Sequence, residues 1–311
     1  NDTIHVSSKN QQLDIVLRDG VELNEVNIVT RKLGTMKLRS SVMNEDMISS
    51  AELSRAACCN LGESFVTNPS VDVSYSDAAT GAKQIKLLGL SGTYVQMLTE
   101  NIPNYRGAAS PYGLGYVPGP WMQSIQVSKG TSSVKNGYEA ITGQINVEFK
   151  KPQLPEADWV SANLFASTTN RYEANADATL KISKRWSTSL LAHYENETKA
   201  HDGNDDGFVD IPQVEQYNVW NRWAYMGDHY VFQAGIKALS ETRTSGQANH
   251  GGTMHSGDLY KVGIDTERYE FFTKNAYIFN KEKNTNLALI LSTTLHNQDA
   301  TYGRKLYNVD Q

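Results

Sequence analysis

The chain has 311 residues, which is enough for two domains and a sizeable buried core. Its formal net charge is −5, and the charged residues, 20% of the chain, alternate in sign instead of forming blocks. The charge pattern therefore gives no basic face for nucleic acid. Cys58 and Cys59 are adjacent, so they cannot provide a disulfide framework, and we interpret them as an inert buried pair in preference to a redox switch.

No segment approaches the roughly 18 consecutive apolar residues of a membrane helix, and the first residues do not read as a signal peptide. The mean hydropathy is −0.49. Neither observation excludes a membrane protein, because a transmembrane β-barrel distributes its apolar residues in alternation and keeps a low average hydropathy.

The first half of the chain, up to about residue 157, consists of short apolar segments separated by connections rich in Gly, Pro and Ser. Examples of the apolar segments are QIKLLGL, YVQMLTE, SIQVSKG and QINVEFKK. This texture predicts a small mixed α/β domain with long loops, and it includes one helix around Ser50 to Thr67.

After residue 157 the apolar period is two almost everywhere. In YEANADATLKIS, residues 172 to 182 place Tyr, Ala, Leu and Ile on one face, and Glu, Asn, Asp, Thr and Lys on the other. The pattern predicts seven strands at about residues 158–168, 171–183, 185–195, 214–226, 229–240, 267–280 and 286–296.

The ends of these segments are aromatic, and their apolar faces carry many small residues. A soluble sandwich also alternates, but aromatic strand ends around an apolar face, opposite a polar face, favour the lipid side and lumen of an outer-membrane barrel. The aromatic residues are Trp159, Tyr172, Trp186, Tyr194, Trp223, Tyr225, Tyr230, Tyr269 and Tyr277.

The lengths of the connections predict the direction of the strands. The turns after the second, fourth and sixth strands are tight, whereas the connections Asn196–Gln213 and Glu241–Thr266 are long. Membrane barrels have short periplasmic turns and longer extracellular loops, so the odd-numbered strands should run outward.

The first long connection contains HDGNDDGFVDIP, residues 201 to 212, which has the spacing of an EF-hand calcium loop but lies between strands. Position 12 of the pattern is Gln213 in place of the bidentate Glu, so the affinity for calcium should be modest. Glu215 is the candidate to replace the missing Glu ligand. The alternative is a solvated polar turn, since Asp, Asn and Gly all accept left-handed dihedrals. The expected ligands of a structural calcium ion are Asp202, Asn204, Asp206, the carbonyl of Phe208, and Asp210.

Several motifs of the first half resemble TonB-dependent outer-membrane receptors, in the right order. SIQVSKGTSSVKNGYEAITGQINVEFKKP, from Ser124, is similar to the closing motif of the receptor plug, with its Lys129-Gly130 turn. GAKQIKLLGLSGTYVQMLTENIPNYRG, from Gly81, is similar to the central strands of the plug. Two departures are Lys86 and Leu88, where an arginine-rich segment is usual, and Glu100-Asn101, where Asp-Gly is common.

The same resemblance implies a domain order. Residues 1–20 look like the tail of a β-sandwich extension found in receptors from Bacteroidetes-like bacteria, and residues 21–35 like the TonB-box region and linker. Residues 36–156 would be the plug, and 157–311 about seven strands of a barrel that has about 22 in such receptors. A closed eight-stranded barrel is the competing account, but it would have no room for a plug. The TonB box itself would be Glu25, Val26, Asn27, Ile28, Val29 and Thr30.

By resemblance, the function is TonB-dependent uptake of a scarce solute: a siderophore, haem, a metal, cobalamin or a glycan. The implied partners are TonB, outer-membrane lipid, an extracellular small-molecule or metal-chelate ligand and a surface lipoprotein. The alternative is a non-transporting adhesin or signalling receptor with a calcium-stabilised loop. No arrangement of residues indicates an enzyme, because the seven histidines fall on separate segments and no nucleophile-elbow or phosphate-loop setting occurs.

Two loops supply the candidate substrate-binding residues. The plug loop from Asn104 to Trp121 presents aromatic residues on a glycine-rich backbone, which give contact area at low entropic cost, although they equally suit packing against the barrel wall. The second long connection offers imidazole and thioether groups for a transition metal or haem iron, or is simply a flexible surface loop. The candidates are Tyr105, Arg106, Tyr112, Tyr116 and Trp121 in the plug, and His250, Met254 and His255 in the connection.

Overall fold

The computed structural model describes residues 36–37, 44–56, 59–131, 137–154, 157–248, 259–281, 283 and 285–311. It confirms the predicted fold class, a plug domain followed by antiparallel barrel strands, and both parts consist mostly of strands. No helix in these ranges is long and apolar enough to cross a membrane.

The plug is built on a six-stranded sheet in the order β1-β2-β8-β9-β6-β7, in which only β6 and β9 pair in parallel. A smaller antiparallel sheet, β3-β4-β5, lies beside it. The apolar sides of β8 and β9 are fully buried at Ile125 and Ile145. The strands are β1 (Met36–Lys37), β2 (Asn44–Ser49), β3 (Val71–Asp77), β4 (Ala82–Leu87), β5 (Leu90–Ser91), β6 (Val95–Thr99), β7 (Ile102–Pro103), β8 (Met122–Lys129) and β9 (Gly143–Phe149).

The helix of the plug is shorter than the sequence predicts. An α-helix, α1, covers Ser50–Ala56, and a single 3-10 turn follows at Gly62–Phe65. Beside the 3-10 turn, Asn60 Oδ1 accepts a hydrogen bond from the Glu63 amide, and the Glu63 carboxylate accepts one from the Cys59 amide. These bonds connect the turn to the residues that precede it. Three 3-10 turns occur elsewhere in the plug, at Gly92–Tyr94, Gly107–Ala109 and Gly119–Trp121.

The second half is one antiparallel sheet in which every strand pairs with the next along the chain. It has eight strands, one more than the sequence predicts, because a two-residue turn at Gly303-Arg304 adds a final strand. The strands are β10 (Val160–Ala166), β11 (Tyr172–Lys181), β12 (Trp186–Glu197), β13 (Gln213–Met226), β14 (Tyr230–Gly246), β15 (Lys261–Asn280), β16 (Thr285–Tyr302) and β17 (Lys305–Asp310).

The prediction of a long connection from Glu241 to Thr266 is wrong in its bounds. β14 continues to Gly246 and β15 begins at Lys261, so the connection shrinks to residues 247–260. In the added rungs the outer face carries Thr242 and Thr244. Threonine forms strands well, but because it is polar the sequence shows no apolar alternation there.

Burial in this sheet is the reverse of that in a soluble protein. On the outer face, Leu164 is 81% exposed and Ile236 63%, whereas on the inner face Asn218 is fully buried and His296 is 1% exposed. A soluble sheet buries its apolar face, so exposure of a continuous apolar face is what a lipid-facing wall requires. The inner, polar face is covered by the plug.

Aromatic residues form two belts on the outer face. At one end Trp186 and Tyr225 are register partners with ring centroids 5.0 Å apart, and at the other Tyr194 and Tyr217 are partners at 4.9 Å. Eight residues separate Trp186 from Tyr194 along β12, roughly 27 Å of strand. Allowing for strand tilt, this spacing matches the apolar band of an outer-membrane barrel, about 25 Å tall.

Candidate functional site

A two-residue hairpin turn of the plug brings a carboxylate against the wall. Glu100 and Asn101 join β6 to β7 with φ values of 49° and 65°, the left-handed pair that a type I′ turn requires. Glu100 then lies 2.6 Å from Arg222 Nη2 on β13 and 3.6 Å from Lys274 Nζ on β15. Burial acts to raise the pKa of Glu100, but the charges of Arg222 and Lys274 outweigh it and hold this pKa below its ordinary value.

The same two wall cations also bind the plug backbone. Arg222 Nη1 donates to the carbonyl of Lys150, 2.7 Å away, and Lys274 Nζ donates to the carbonyl of Glu100 at 2.6 Å. Arg222 further stacks on the ring of Trp220, 4.5 Å from its centroid. The turn is therefore held by charge and by directional hydrogen bonds at once.

A second polar contact joins the plug to β14 and β15. Asn104 Nδ2 donates to Glu270 at 2.9 Å, and Asn104 Oδ1 accepts from Arg268. Lys237 Nζ donates to the carbonyl of Tyr116 at 3.1 Å and lies 3.7 Å from Glu270. These charged residues lie on the inner, polar face of the predicted strands. The alternation of the sequence predicted that face, but it did not predict which of its residues contact the plug.

The structure buries the aromatic candidates of the plug loop. Tyr105 and Tyr112 are 5% and 6% exposed, and Tyr116 and Trp121 are fully buried in the core between plug and wall. Trp121 packs edge-on to His193 and beside Trp220 on the wall, with centroids 6.4 Å and 6.3 Å apart. These rings therefore pack in the core, which is one of the two roles that the sequence left open, and Tyr112 also lines the cavity described below.

Arg106, the charged candidate of this loop, forms an ion pair within the plug. Its Nη2 lies 2.5 Å from Oε2 of Glu139. Its guanidinium thus joins the plug loop to the segment that precedes β9.

Arg171 is the hub of a charge cluster where the plug meets the first hairpin of the wall. Its guanidinium contacts Glu63 of the plug at 3.0 Å, Glu173 of β11 at 2.6 Å and Glu195 of β12 at 3.0 Å. Cys59 is buried beside this cluster, and burial with the neighbouring carboxylates raises the pKa of its thiol. A thiol with a raised pKa is a poor nucleophile, in agreement with an inert role for Cys59.

A cavity of about 360 Å³ opens between the plug and the wall at the end of the sheet that carries the connection from β12 to β13. Pro111 and Tyr112 line it from the plug, and Phe165 and Pro212 from the wall. Its lining combines apolar surface with charges of both signs. The charged residues are Glu63 and Lys83 of the plug and Arg171, Glu195, Glu197, Glu241 and Arg243 of the wall.

The acidic connection that precedes β13 is a compact turn stabilised by its own backbone. The Asp202 carboxylate accepts hydrogen bonds from the amides of Asp206 and Gly207, at 3.2 Å and 2.8 Å. Asp210 Oδ2 accepts from the Gly203 amide at 2.6 Å, and Gly207 has a φ of 83°. Over the described ranges, no three His, Cys, Asp or Glu side chains are grouped as metal ligands.

The remaining candidates lie outside the described residues. They are the TonB-box segment Glu25–Thr30 and the residues His250, Met254 and His255.

Comparison with known proteins agrees with this architecture. Residues 37–144 match the family model of the TonB-dependent receptor plug domain. The chain is 24% identical over 185 residues to the vitamin B12 transporter BtuB of Vibrio vulnificus (strain CMCP6), an overlap of 60% of this chain and 30% of that protein.

Two solved structures have a similar fold. The closed form of the ferric-catecholate import receptor Fiu from E. coli K12 has a TM-score of 0.62 at 16% identity, covering 84% of this chain and 38% of that one. The siderophore receptor PiuA from Acinetobacter baumannii has a TM-score of 0.61 at 13% identity, covering 83% and 37%. The chain thus spans less than two fifths of the length of these relatives.

Proposed function

Because this chain carries the plug domain and eight wall strands of a TonB-dependent receptor of the Gram-negative outer membrane, we propose that the whole protein imports a scarce extracellular solute in a TonB-dependent manner. The observation that carries the proposal is the buried, charged inner face of the wall, which is occupied by the plug. A structural barrel has no need of a plug, whereas a transporter needs a barrier that stays seated at rest and moves when pulled.

The solute belongs to the classes that such receptors take up: siderophores, haem, metals, cobalamin or glycans. Among the relatives, one is named for vitamin B12 and two for ferric siderophores, which supports a metal chelate or cobalamin as the first probes to use. The relatives are transporters and receptors, and we propose that this protein likewise is not an enzyme.

We assign initial ligand contact to the cavity between plug and wall. Its position supports this role, since a ligand bound there touches Lys83 and Tyr112 of the plug together with Arg243 of the wall. Contact with both parts is what lets occupancy of the site change how the plug is held.

Energy coupling would use the segment Glu25–Thr30, whose alternating apolar residues suit the addition of a strand to a sheet edge of TonB. Ile28→Pro removes a backbone donor and should abolish energy-dependent uptake, whereas Ile28→Val should retain it. The measurement is uptake of labelled cyanocobalamin and of a ferric catecholate by whole cells, with binding to de-energised cells as the control. Uptake that survives Ile28→Pro in full would refute energy coupling through this segment, whereas binding without any energy-dependent uptake by the unmodified protein would favour a non-transporting adhesin or signalling receptor.

We also propose that the turn containing Asp202, Asn204, Asp206, Phe208 and Asp210 binds a structural calcium ion outside the cell. Support comes from the EF-hand spacing and from Gly207, whose left-handed backbone provides the sharp bend of such loops.

A further inference from the structure

Three consecutive turns of the wall meet through one carboxylate. They are residues 182–185 between β11 and β12, 227–229 between β13 and β14, and the described residues Lys281 and Lys283 between β15 and β16. Asp228 of the middle turn lies 2.9 Å from Arg185 Nη2 of the first and 3.4 Å from Lys281 Nζ of the third. The shared contact makes the three turns one continuous surface at this end of the sheet, which we name the basic rim.

The basic rim has more cations than its carboxylates neutralise. Asp228 is already shared by two cations, and the sequence adds only Glu282. Among the described residues, neither Lys184 nor Lys283 lies within ion-pair distance of a carboxylate, and both are exposed. The cations of the rim are Lys184, Arg185, Lys281 and Lys283.

Aromatic rings flank the basic rim on the lipid side. Trp186 directly follows Arg185, and its partner Tyr225 lies 6.1 Å from Tyr230, which opens the next strand. Tyr277 and Phe279 form a further ring pair at 5.1 Å near the third turn. Such belts lie at the level of the lipid headgroups, so the turns immediately beyond them are at the depth of the phosphates.

Two rungs of the outer face near the opposite end of the sheet are acidic. Just above the Tyr194–Tyr217 belt, one rung places Glu215, Thr242, Asp265 and Asp299 side by side on successive strands. The neighbouring rung carries Glu267, and neither rung has a Lys or Arg on the described strands. The basic rim and these acidic rungs therefore lie at opposite ends of the sheet.

We propose that the basic rim, with its aromatic belt, binds the phosphate headgroup of an anionic glycerophospholipid of the inner leaflet. The assignment to the inner leaflet rests on the proposed receptor function, which directs the short turns to the periplasm. Lys184 and Lys283 supply the unneutralised charge, Arg185 and Lys281 frame the phosphate around Asp228, and the aromatic belt contacts the glycerol region. Inward-facing residues take no part.

The test uses the whole receptor, purified in detergent and titrated with phosphatidylglycerol or phosphatidylcholine, with bound lipid counted by native mass spectrometry. We expect the unmodified receptor to prefer phosphatidylglycerol, and Lys184→Gln/Lys283→Gln to lower that affinity by about thirtyfold, because each lysine near anionic lipid contributes a similar attraction. Lys184→Arg/Lys283→Arg should keep the preference. The matched control, Lys199→Gln/Lys305→Gln, changes the same charge at the opposite end and should have no effect.

Several results would overturn the proposal. If the control variant loses the same affinity for phosphatidylglycerol, the attraction depends on the net charge of the protein and not on the basic rim. Competition by millimolar inorganic phosphate as strong as that of the lipid would make the rim a free-anion site. Heat-modifiable mobility on gels verifies that each variant is folded, so an unfolded barrel cannot pass for lost binding.

Orientation is tested separately with single cysteines and an impermeant maleimide on intact cells. Lys199→Cys should react and Lys283→Cys should not; the opposite labelling would place the basic rim outside the cell and refute the inner-leaflet assignment. If Ile28→Pro does not change uptake, coupling through Glu25–Thr30 is refuted, and the lipid preference is still judged on its own titration.

Discussion

Arg222 of the wall lies 2.6 Å from Glu100 of the plug, and both side chains are almost completely buried, at 3% and 2% exposure. Desolvating two charges is costly, and the pair is retained because each ion is compensated by the other and by hydrogen bonds to the backbone. The residues are 122 positions apart in sequence, so their contact joins the plug directly to the wall.

Neutralising one member of this pair should loosen the plug strongly. Glu100→Gln leaves Arg222 buried without its carboxylate, and we expect the free energy of unfolding of the plug to fall by about 3–5 kcal/mol. Limited proteolysis of the purified receptor across a urea series measures the change. Asp72→Asn is the matched control, because its pair with Lys86 is 4.0 Å long and exposed, and a similar loss there would show that the buried pair has no special role.

The same carboxylate should make the seating of the plug depend on pH. The pKa of Glu100 is lower in the folded protein than its ordinary value of 4.5, so its ionised form adds stability above that value. This contribution is lost as the pH falls below 4.5 through the lowered pKa. The urea concentration at which half of the plug is cleaved should therefore fall as the pH drops below 5, and it should fall further in the wild type than in Glu100→Gln. An equal fall in the two proteins would contradict a stabilising role for the ionised Glu100.

Arginine scanning should distinguish the two faces of the wall. Leu190 and Ile236 lie on the outer face midway between the aromatic belts, and an arginine there should destabilise the folded barrel by about 2–4 kcal/mol. Ser292→Arg, on the inner face of β16, should be tolerated better because its side chain does not meet lipid. Folding into lipid vesicles from urea provides the measurement, and equal damage at all three positions would favour a soluble sandwich.

Much of the wall was predictable because lipid on one side and a polar plug on the other impose a strict period of two. The prediction weakened where that constraint ends. β14 and β15 extend beyond the apolar band through Thr242 and Thr244, and β17 follows a turn of only two residues, so neither extension has an apolar period. The residue pattern likewise has no signal that separates α1 from the 3-10 turn at Gly62–Phe65.

The site was less predictable than the fold, for a physical reason. Aromatic residues on a glycine-rich loop serve ligand contact and core packing equally well, and only tertiary contacts show that Tyr116 and Trp121 are buried. Glu100 looked like a departure from Asp-Gly, yet its longer side chain reaches Arg222 and Lys274 on the wall. Partners of this kind, more than 100 residues away, leave no local signal.

The final prediction concerns calcium in the turn at residues 202–210. Four carboxylates, those of Asp202, Asp205, Asp206 and Asp210, lie within nine residues and repel one another when unneutralised. Backbone amides already orient Asp202 and Asp206 within the turn, which lowers the reorganisation needed to admit a cation. Extracellular sites without the bidentate Glu have affinities of about 10⁻⁴–10⁻³ M, so millimolar calcium outside the cell is enough to fill one.

Asp202→Asn with Asp206→Asn should make this turn more sensitive to protease in millimolar calcium, because the variant loses two of the charges that hold the ion, and should leave cleavage in chelator unchanged. Asp228→Asn is the control, since it removes a carboxylate from a turn at the other end of the sheet and should not alter cleavage of the calcium turn. Cleavage of the wild-type turn is followed on intact cells with and without chelator. Identical cleavage rates with and without chelator would mean that the turn binds no calcium and that the hydrogen bonds from its backbone amides stabilise it.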